Sequence, residues 1–381
     1  MKILNICMNA PFTEHYSYQD NLLTEYQKKL GHDVIIITST RTRDKQGKIC
    51  KTEPCDKILY NGVRLIRLEV NGRLKSILGI YPEIYKILQK IKPDFIYIHG
   101  LCSFVPQTVI KYKKKNKEVN IVADNHQDSR TTNITGLFAI QQGVYRYMWR
   151  NWIKNVEKVY GTTSWRTTFA NRIYGIPKEK LDTLVMGIDT DNLPKNKAEV
   201  RKQIRKELNI GEDIFLFVTG GKLDKRKNTI ELMRAFTRIS DEKAALLIFG
   251  SVAEEIREEF EKLCADDSRI RYIGYIKSEI VNRYFLASDF GAFPGRHSVL
   301  WEEAIGCGLP CLFPRYEERD HTEVCDNAVV IENPSENDIY NCMNRVLNTP
   351  QYYTSIKANA EKAAKVFSYY EIAKKSLECA E

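Results

Sequence analysis

The 381-residue chain reads as an α/β protein of two doubly wound, Rossmann-like domains facing across a cleft. Three observations predict this. Short β-rich runs alternate with helical patterns along the whole chain, the signature of parallel sheets with crossover helices. A polar stretch, DTDNLPKNKAEVRKQIRKEL (189–208), breaks that rhythm near the midpoint, as an interdomain linker and first helix would. The length also exceeds the roughly 250–300 residues at which one core stops growing.

The first-half strands are KILNICM (2–8), DVIIITS (33–39), DFIYIHG (94–100), VNIVADNH (119–126), KVYGTT (158–163) and LDTLVMG (181–187). Between the first two, SYQDNLLTEYQKKL sets Leu22, Leu23, Tyr26 and Leu30 on one helical face, and Gly31 stops it. After the linker come IFLFVTGG (214–221), ALLIFGS (245–251), IRYIGY (270–275), DFGAFPG (289–295), PCLFPR (310–315) and AVVIE (328–332). Ligands of open α/β sheets bind at the carboxyl ends of strands, so the site belongs in these strand-end loops.

Composition narrows the class. Hydrophobic residues make up 43% and charged residues 28%, values of a globular chain. No signal peptide pattern and no apolar run near the ~20 residues of a membrane span is found, so a soluble, cytoplasmic chain is expected. Ten cysteines without an export signal predict reduced thiols, and their spacing suits no zinc site, so no metal is expected. Residues 1–190 carry 30 Lys and Arg against 17 Asp and Glu, or +13; residues 191–381 carry 28 against 32, or −4. The basic half should meet an anionic partner: a nucleic acid, an acidic membrane surface or a phosphorylated substrate.

Strand 214–221 runs into KLDKRKN, with four cations in six residues before a helix that Thr229 opens, a pattern suited to phosphates. Strand 289–295 runs into PGRHSVLWEEAIGCGLP, whose helix should begin near Ser298 as N-cap. Glu302 or Glu303, leaning back toward the helix start, can accept two hydrogen bonds from a ribose diol, while the other is expected on the surface. Strand 119–126 ends in DNHQDS, placing His126 two residues from both Asp124 and Asp128, either of which could orient it. The first strand's loop, with His15, Tyr16 and Ser17, could close over acceptor or donor.

GGKLDKRKN before a helix, LLIFGS, SEIVNRYFLASDFGAFPG and EEAIGCGLP resemble the family 4 glycosyltransferases of GT-B fold, as do GHDVIIITS and YGIPKEKLDTLVMGIDTD in the first half. The resemblance implies an acceptor-side domain (1–190), a nucleotide-sugar domain (191–366) and a final helix (367–381) crossing back to the first. It also implies retaining, metal-independent transfer from a nucleotide sugar to a glycan or lipid-linked acceptor, with no cofactor. Lys222 stands where the family usually has arginine and Lys227 where it has lysine, both neutralising the leaving diphosphate. His126 matches the histidine that contacts the donor sugar. Gly221, His297, Ser298 and Val299 fall in donor-binding loops, and Glu303 matches the second glutamate of the Glu, seven residues, Glu pattern. Gly295 holds the first glutamate's place, a departure that leaves His297, Ser298 or loop amides to hold the sugar ring.

Several alternatives stay open. An epimerase or sugar synthase could share the fold. Asp189-Thr-Asp191 imitates a metal-binding Asp-x-Asp. KYKKKNK (111–117) could serve a nucleic-acid-binding protein or an anionic membrane. Tyr145, Met148, Trp149, Trp152 and Val156 fall at helical spacing, as a core face or, with Arg146, Arg150 and Lys154, as a membrane interface.

Overall fold

The computed structural model describes residues 1–44, 47–69, 80–130, 132–316 and 320–380. They form two compact units, Met1–Met186 together with Tyr369–Glu381, and Gly187–Ser368.

The first unit holds β1 (Lys2–Cys7), β2 (Asp33–Ser39), β3 (Arg41–Arg43), β4 (Ile49–Lys51), β5 (Cys55–Ile58), β6 (Arg64–Leu68), β7 (Phe95–His99), β8 (Asn120–Asn125), β9 (Lys158–Gly161) and β10 (Leu181–Thr183). Eight form one sheet in the order β10-β9-β8-β7-β1-β2-β6-β5, and β3 pairs with β4 apart from it. Every pairing in the large sheet is parallel except β5 with β6. Helices cover both faces of such a sheet, so its central strands are apolar on both sides. Leu4, Ile6, Ile37, Ile96, Ile98 and Ile121 pack with Leu88, Val109, Tyr145 and Trp149 in one core. Tyr145, Trp149 and Trp152 are thus core residues, on the helix Leu137–Trp152. Strands β3 to β6 were not foreseen. Each carries charge; β5, with the sequence CDKI, is the edge of the large sheet and tolerates it where the centre does not.

The helix Tyr369–Leu377 belongs to this first unit. Tyr369 stacks on Tyr26 with ring centroids 6.1 Å apart, and the Tyr160 hydroxyl donates to the Lys375 carbonyl at 3.0 Å.

The second unit holds β11 (Phe215–Leu223), β12 (Ala244–Val252), β13 (Ile270–Tyr272), β14 (Phe290–Ala292), β15 (Cys311–Pro314) and β16 (Ala328–Ile331), in the order β13-β12-β11-β14-β15-β16, all parallel. Strand β11 does not end in its two glycines but continues to Leu223, pairing Gly221 with Gly250 and Lys222 with Ser251. The close approach requires glycine: a Cβ on Gly250 would lie 1.8 Å from the Gly221 carbonyl oxygen. Phe217, Leu246, Ile248, Phe290 and Leu312 form the sheet's share of the core. The linker helix Lys197–Glu207 is anchored by Arg205, whose Nη2 reaches Asp289 Oδ2 at 2.6 Å while fully buried.

Candidate active site

In the second unit, four cations follow the glycines of β11, and the structure separates them. Arg226 is paired with Asp224, whose carboxylate also accepts from the Arg226 amide and so caps the turn Lys225–Lys227. Lys222 and Lys225 are exposed. Lys227 is drawn inward. Its Nζ donates to the Arg296 carbonyl at 2.5 Å, and burial lowers its pKa to about 8.

That bond is one of several that zip the loop after β14 onto the cationic turn. The Arg296 amide donates to the Arg226 carbonyl at 2.7 Å, and Asn228 Nδ2 to the Pro294 carbonyl at 3.0 Å. At Gly295 the segments touch: a Cβ there would lie 2.2 Å from the Lys227 carbonyl carbon. Any side chain at this position would require the loop to move.

The helix after this loop starts later than its sequence suggests. It spans Leu300–Gly306 with Val299 as N-cap, so Ser298 is not the capping residue. Ser298 contributes its carbonyl, which accepts from the Trp301 amide at 3.0 Å, and its hydroxyl is buried without a hydrogen-bond partner among the described residues. Val299 is exposed and His297 half-buried.

Neither glutamate of Trp-Glu-Glu lies on the surface, contrary to expectation. Glu302 is wholly buried, and its Oε1 accepts from His297 Nε2 at 2.7 Å and from His321 Nε2 at 2.9 Å. Burial alone would raise its pKa, but the two imidazoles outweigh that and hold it below the ordinary carboxylate range. Glu303 is half-buried, and burial without a charged partner pushes its pKa up to about 7. The Tyr316 hydroxyl accepts from the His297 amide at 3.1 Å and donates to the Gly295 carbonyl at 3.2 Å. His321 and Tyr316 were missed. Their signal lies in their position, since both follow β15, another strand end of the same sheet.

In the first unit, Asp124 rather than Asp128 orients His126. The buried Asp124 Oδ2 lies 3.1 Å from both His126 Nε2 and His99 Nδ1, and its Oδ1 accepts from the Gly100 amide at 2.8 Å. Asp128 instead meets Arg166 Nε at 3.3 Å. His126 remains partly exposed, with its side chain at 39%. From the first loop, His15 is exposed and stacks on Tyr60 at 4.8 Å, Ser17 is exposed and Tyr16 packs edge-on to Tyr18. It is Asp20, further along, that reaches His99, at 3.3 Å.

Asp189 caps the turn Thr190–Asn192, its carboxylate accepting from the Asp191 amide at 3.2 Å. Within the lysine run, Lys113 pairs with Glu157 and Lys111 sits 5.2 Å from the Tyr85 ring centre.

A family profile described as Glycosyltransferase Family 4 matches residues 21–192, and one described as Glycosyl transferases group 1 matches residues 200–363. The chain is 24% identical over 210 residues to the N-acetylgalactosamine-N,N'-diacetylbacillosaminyl-diphospho-undecaprenol 4-alpha-N-acetylgalactosaminyltransferase of Campylobacter jejuni. That match covers 54% of each chain, so this chain spans about half the length of the curated relative it matches. Among solved structures, a glycosyltransferase from Rickettsia africae aligns with a TM-score of 0.68 at 15% identity, covering 100% of this chain and 97% of that one. HepE from Anabaena, in complex with UDP and glucose, aligns with a TM-score of 0.58 at 15% identity, covering 99% and 98%. At such identities the likeness concerns the fold. Two Rossmann-like units with largely parallel sheets, aligned with these structures over nearly their whole length, have the GT-B fold. Within that class, the chain belongs to the family 4 glycosyltransferases.

Proposed function

We propose that the protein is a retaining transferase that moves a sugar from a nucleoside diphosphate to a glycan or lipid-linked acceptor, without a divalent cation or cofactor. The observation that carries this reading is Lys227, a half-buried amine fixed at a strand end by the Arg296 carbonyl. A desolvated cation held in place stabilises charge more than a solvated one. As the bond from the anomeric carbon to the diphosphate oxygen breaks, its electron pair leaves on the diphosphate, where Lys227 and Lys222 meet the charge. The acceptor oxygen bonds the same carbon on the same face, and its proton follows to the departing phosphate. Glu303 accepts the ribose hydroxyls, and His126, aligned by Asp124, donates or accepts at the donor sugar. The Campylobacter jejuni relative, named for a lipid diphosphate acceptor, and HepE, solved with UDP and glucose, favour this choice of partners. A screen of purified protein against UDP-, GDP-, ADP- and dTDP-sugars with EDTA present tests it. Turnover is expected with one of them; activity restored only by Mg²⁺ or Mn²⁺ would refute metal independence, and salt-sensitive binding of generic oligonucleotides would favour the nucleic-acid alternative.

The acceptor's setting is read from the helix Leu137–Trp152. No helix among the described residues is long and apolar enough to cross a membrane. This helix nevertheless leaves Ile140, Val144 and Tyr147 exposed, and no carboxylate lies between Asp128 and Glu157, where Arg130, Arg146, Arg150 and Lys154 do. Outward apolar side chains flanked by cations suit an anionic bilayer surface. Flotation with phosphatidylglycerol vesicles, but not with phosphatidylcholine, is expected, and Tyr147→Ser with Arg150→Glu should abolish it. Equal binding to both vesicles would refute the charge argument.

A further inference from the structure

A chain of buried polar groups runs through the core of the first unit, and its direction can be read from one end. Ser376 Oγ lies 2.7 Å from the Ala373 carbonyl, which can only accept. A hydroxyl has one proton, so toward Gln27 Nε2, at 3.2 Å, Ser376 accepts. Gln27 Oε1 therefore faces Asn5 and accepts from its Nδ2 at 2.9 Å, which turns Asn5 Oδ1 toward His99 Nε2 at 3.3 Å. That nitrogen must donate. On the other side of the ring, Nδ1 faces Asp124 Oδ2 at 3.1 Å and Asp20 Oδ1 at 3.3 Å, both carboxylates. An imidazole that donates from both nitrogens is a cation.

We propose that His99 is a buried imidazolium acting as a positioning residue: fixed in charge by Ser376, Gln27 and Asn5, it holds Asp124 as the carboxylate on which His126 docks. Residues of the helix Tyr369–Leu377 thereby help to set the orientation of His126. Only the last link, from His126 to a donor sugar, rests on the function proposed above.

The surroundings agree. Asn5, Gln27, Ser376 and Asp124 are wholly buried, so each mismatched donor or acceptor in the chain would go unsatisfied. Tyr97 stacks on the His99 ring at 4.5 Å, a contact that favours a cation. Cys7, nearby on β1, is pushed up to about 12 by burial and stays a neutral thiol at neutral pH. Burial works against charge on His99, and the neighbouring carboxylates of Asp124 and Asp20 favour it, leaving its pKa well above the ordinary value. A charged His99 also gives the fully buried Asp124 carboxylate a cationic partner. Because His99 donates from both nitrogens, it has no lone pair for a metal, although its ligand atoms lie within 4.8 Å of those of Asp124 and His126.

The opposite direction is chemically complete too, and it makes the test sharp. If Ser376 donated to Gln27, both amides would flip, Asn5 would donate to Nε2 and His99 would be neutral. Nitrogen-detected NMR of the full chain with labelled histidines distinguishes the two, with His99 assigned by the signal lost in His99→Gln. At pH 8 the signals of both His99 nitrogens are expected in the protonated form. In Ser376→Ala, which removes the anchor, the His99 titration should move downward by about one pH unit, the equivalent of one lost hydrogen bond, and the His126 signals should move with it. Gln27→Glu, which still accepts from Asn5, should keep His99 charged. A neutral His99 at pH 8 in the unaltered chain, or His126 signals unmoved by Ser376→Ala, would overturn the proposal. A charged His99 in a chain that transfers no sugar would sustain it while removing the transferase reading.

Discussion

Each unit buries one carboxylate between two histidines, and the two nodes differ in what they leave outside. Asp124 uses Oδ1 on the Gly100 amide and Oδ2 on His99 and His126, and the His126 side chain reaches solvent. Glu302 uses Oε1 on both His297 and His321, which are nearly sealed, with side-chain exposures of 9% and 2%. Its Oε2 is buried with no hydrogen-bond partner among the described residues. A carboxylate engaged through both oxygens, with one partner open to solvent, is arranged to present a group to a ligand. One that ties a helix to the loops after β14 and β15 is arranged to hold the chain. Equal residue types therefore serve different ends.

The largest expected effect comes from breaking the first node. Asp124→Asn leaves the buried His99 with only the partly exposed Asp20 as a carboxylate partner and should cost about 3 kcal/mol of stability, read from denaturant midpoints. The pH dependence should go with it. The Asp124 carboxylate is held low because His126 and His99 outweigh its burial, so its contribution is present above roughly pH 3.9 and lost as pH falls through the folded value. His99 is raised, so its contribution is present below roughly pH 6.5 and lost as pH rises through the folded value. In the variant the acid limb should vanish and the His99 limb should shrink to the share that Asp20 supports.

Lys227→Ala should lower turnover by roughly 10² to 10³ with folding intact, the scale of one preorganised electrostatic group. An unchanged kcat/KM would remove Lys227 from the site. At the second node, Glu303→Gln should weaken nucleotide binding by about 1 to 3 kcal/mol in calorimetry. Glu302→Gln should instead lower stability and leave that affinity nearly unchanged; the reverse pattern would exchange the two roles. The mildest effect needs no substitution. A ribose diol requires Glu303 deprotonated, with its pKa at about 7, and a diphosphate requires Lys227 protonated, with its pKa at about 8. The kcat/KM of the unaltered enzyme should therefore fall on both sides of a maximum between those values.

The central strands were legible because full burial forces continuous apolar runs, as in DVIIITS and ALLIFGS. Strand β6, second from the sheet's edge, was not, because RLIRL buries its second Arg for hydrogen bonds to the Ser39 and Phe12 carbonyls rather than for packing. The strand-end rule pointed to His126, Lys227 and the glutamate pair, and the structure places them after β8, β11 and β14. What it could not reach was long-range pairing: His321 lies 19 residues beyond Glu302, and Ser376 lies 349 beyond Gln27. Nor does a glycine in sequence announce that its missing side chain is what lets two loops meet, as Gly295 does against Lys227.

The placement of the helix Tyr369–Leu377 has a consequence for biosynthesis. Its Tyr369, Ile372, Ala373 and Leu377 are buried, and they belong to the unit whose other residues end at Met186. A ribosome releases Met1–Met186 early, but Gln27 has no Ser376 to meet until the intervening 182 residues of the second unit have been made. The second unit is continuous in sequence and can close as it emerges. The unit begun first is completed last, and until then its apolar docking surface waits uncovered while translation proceeds.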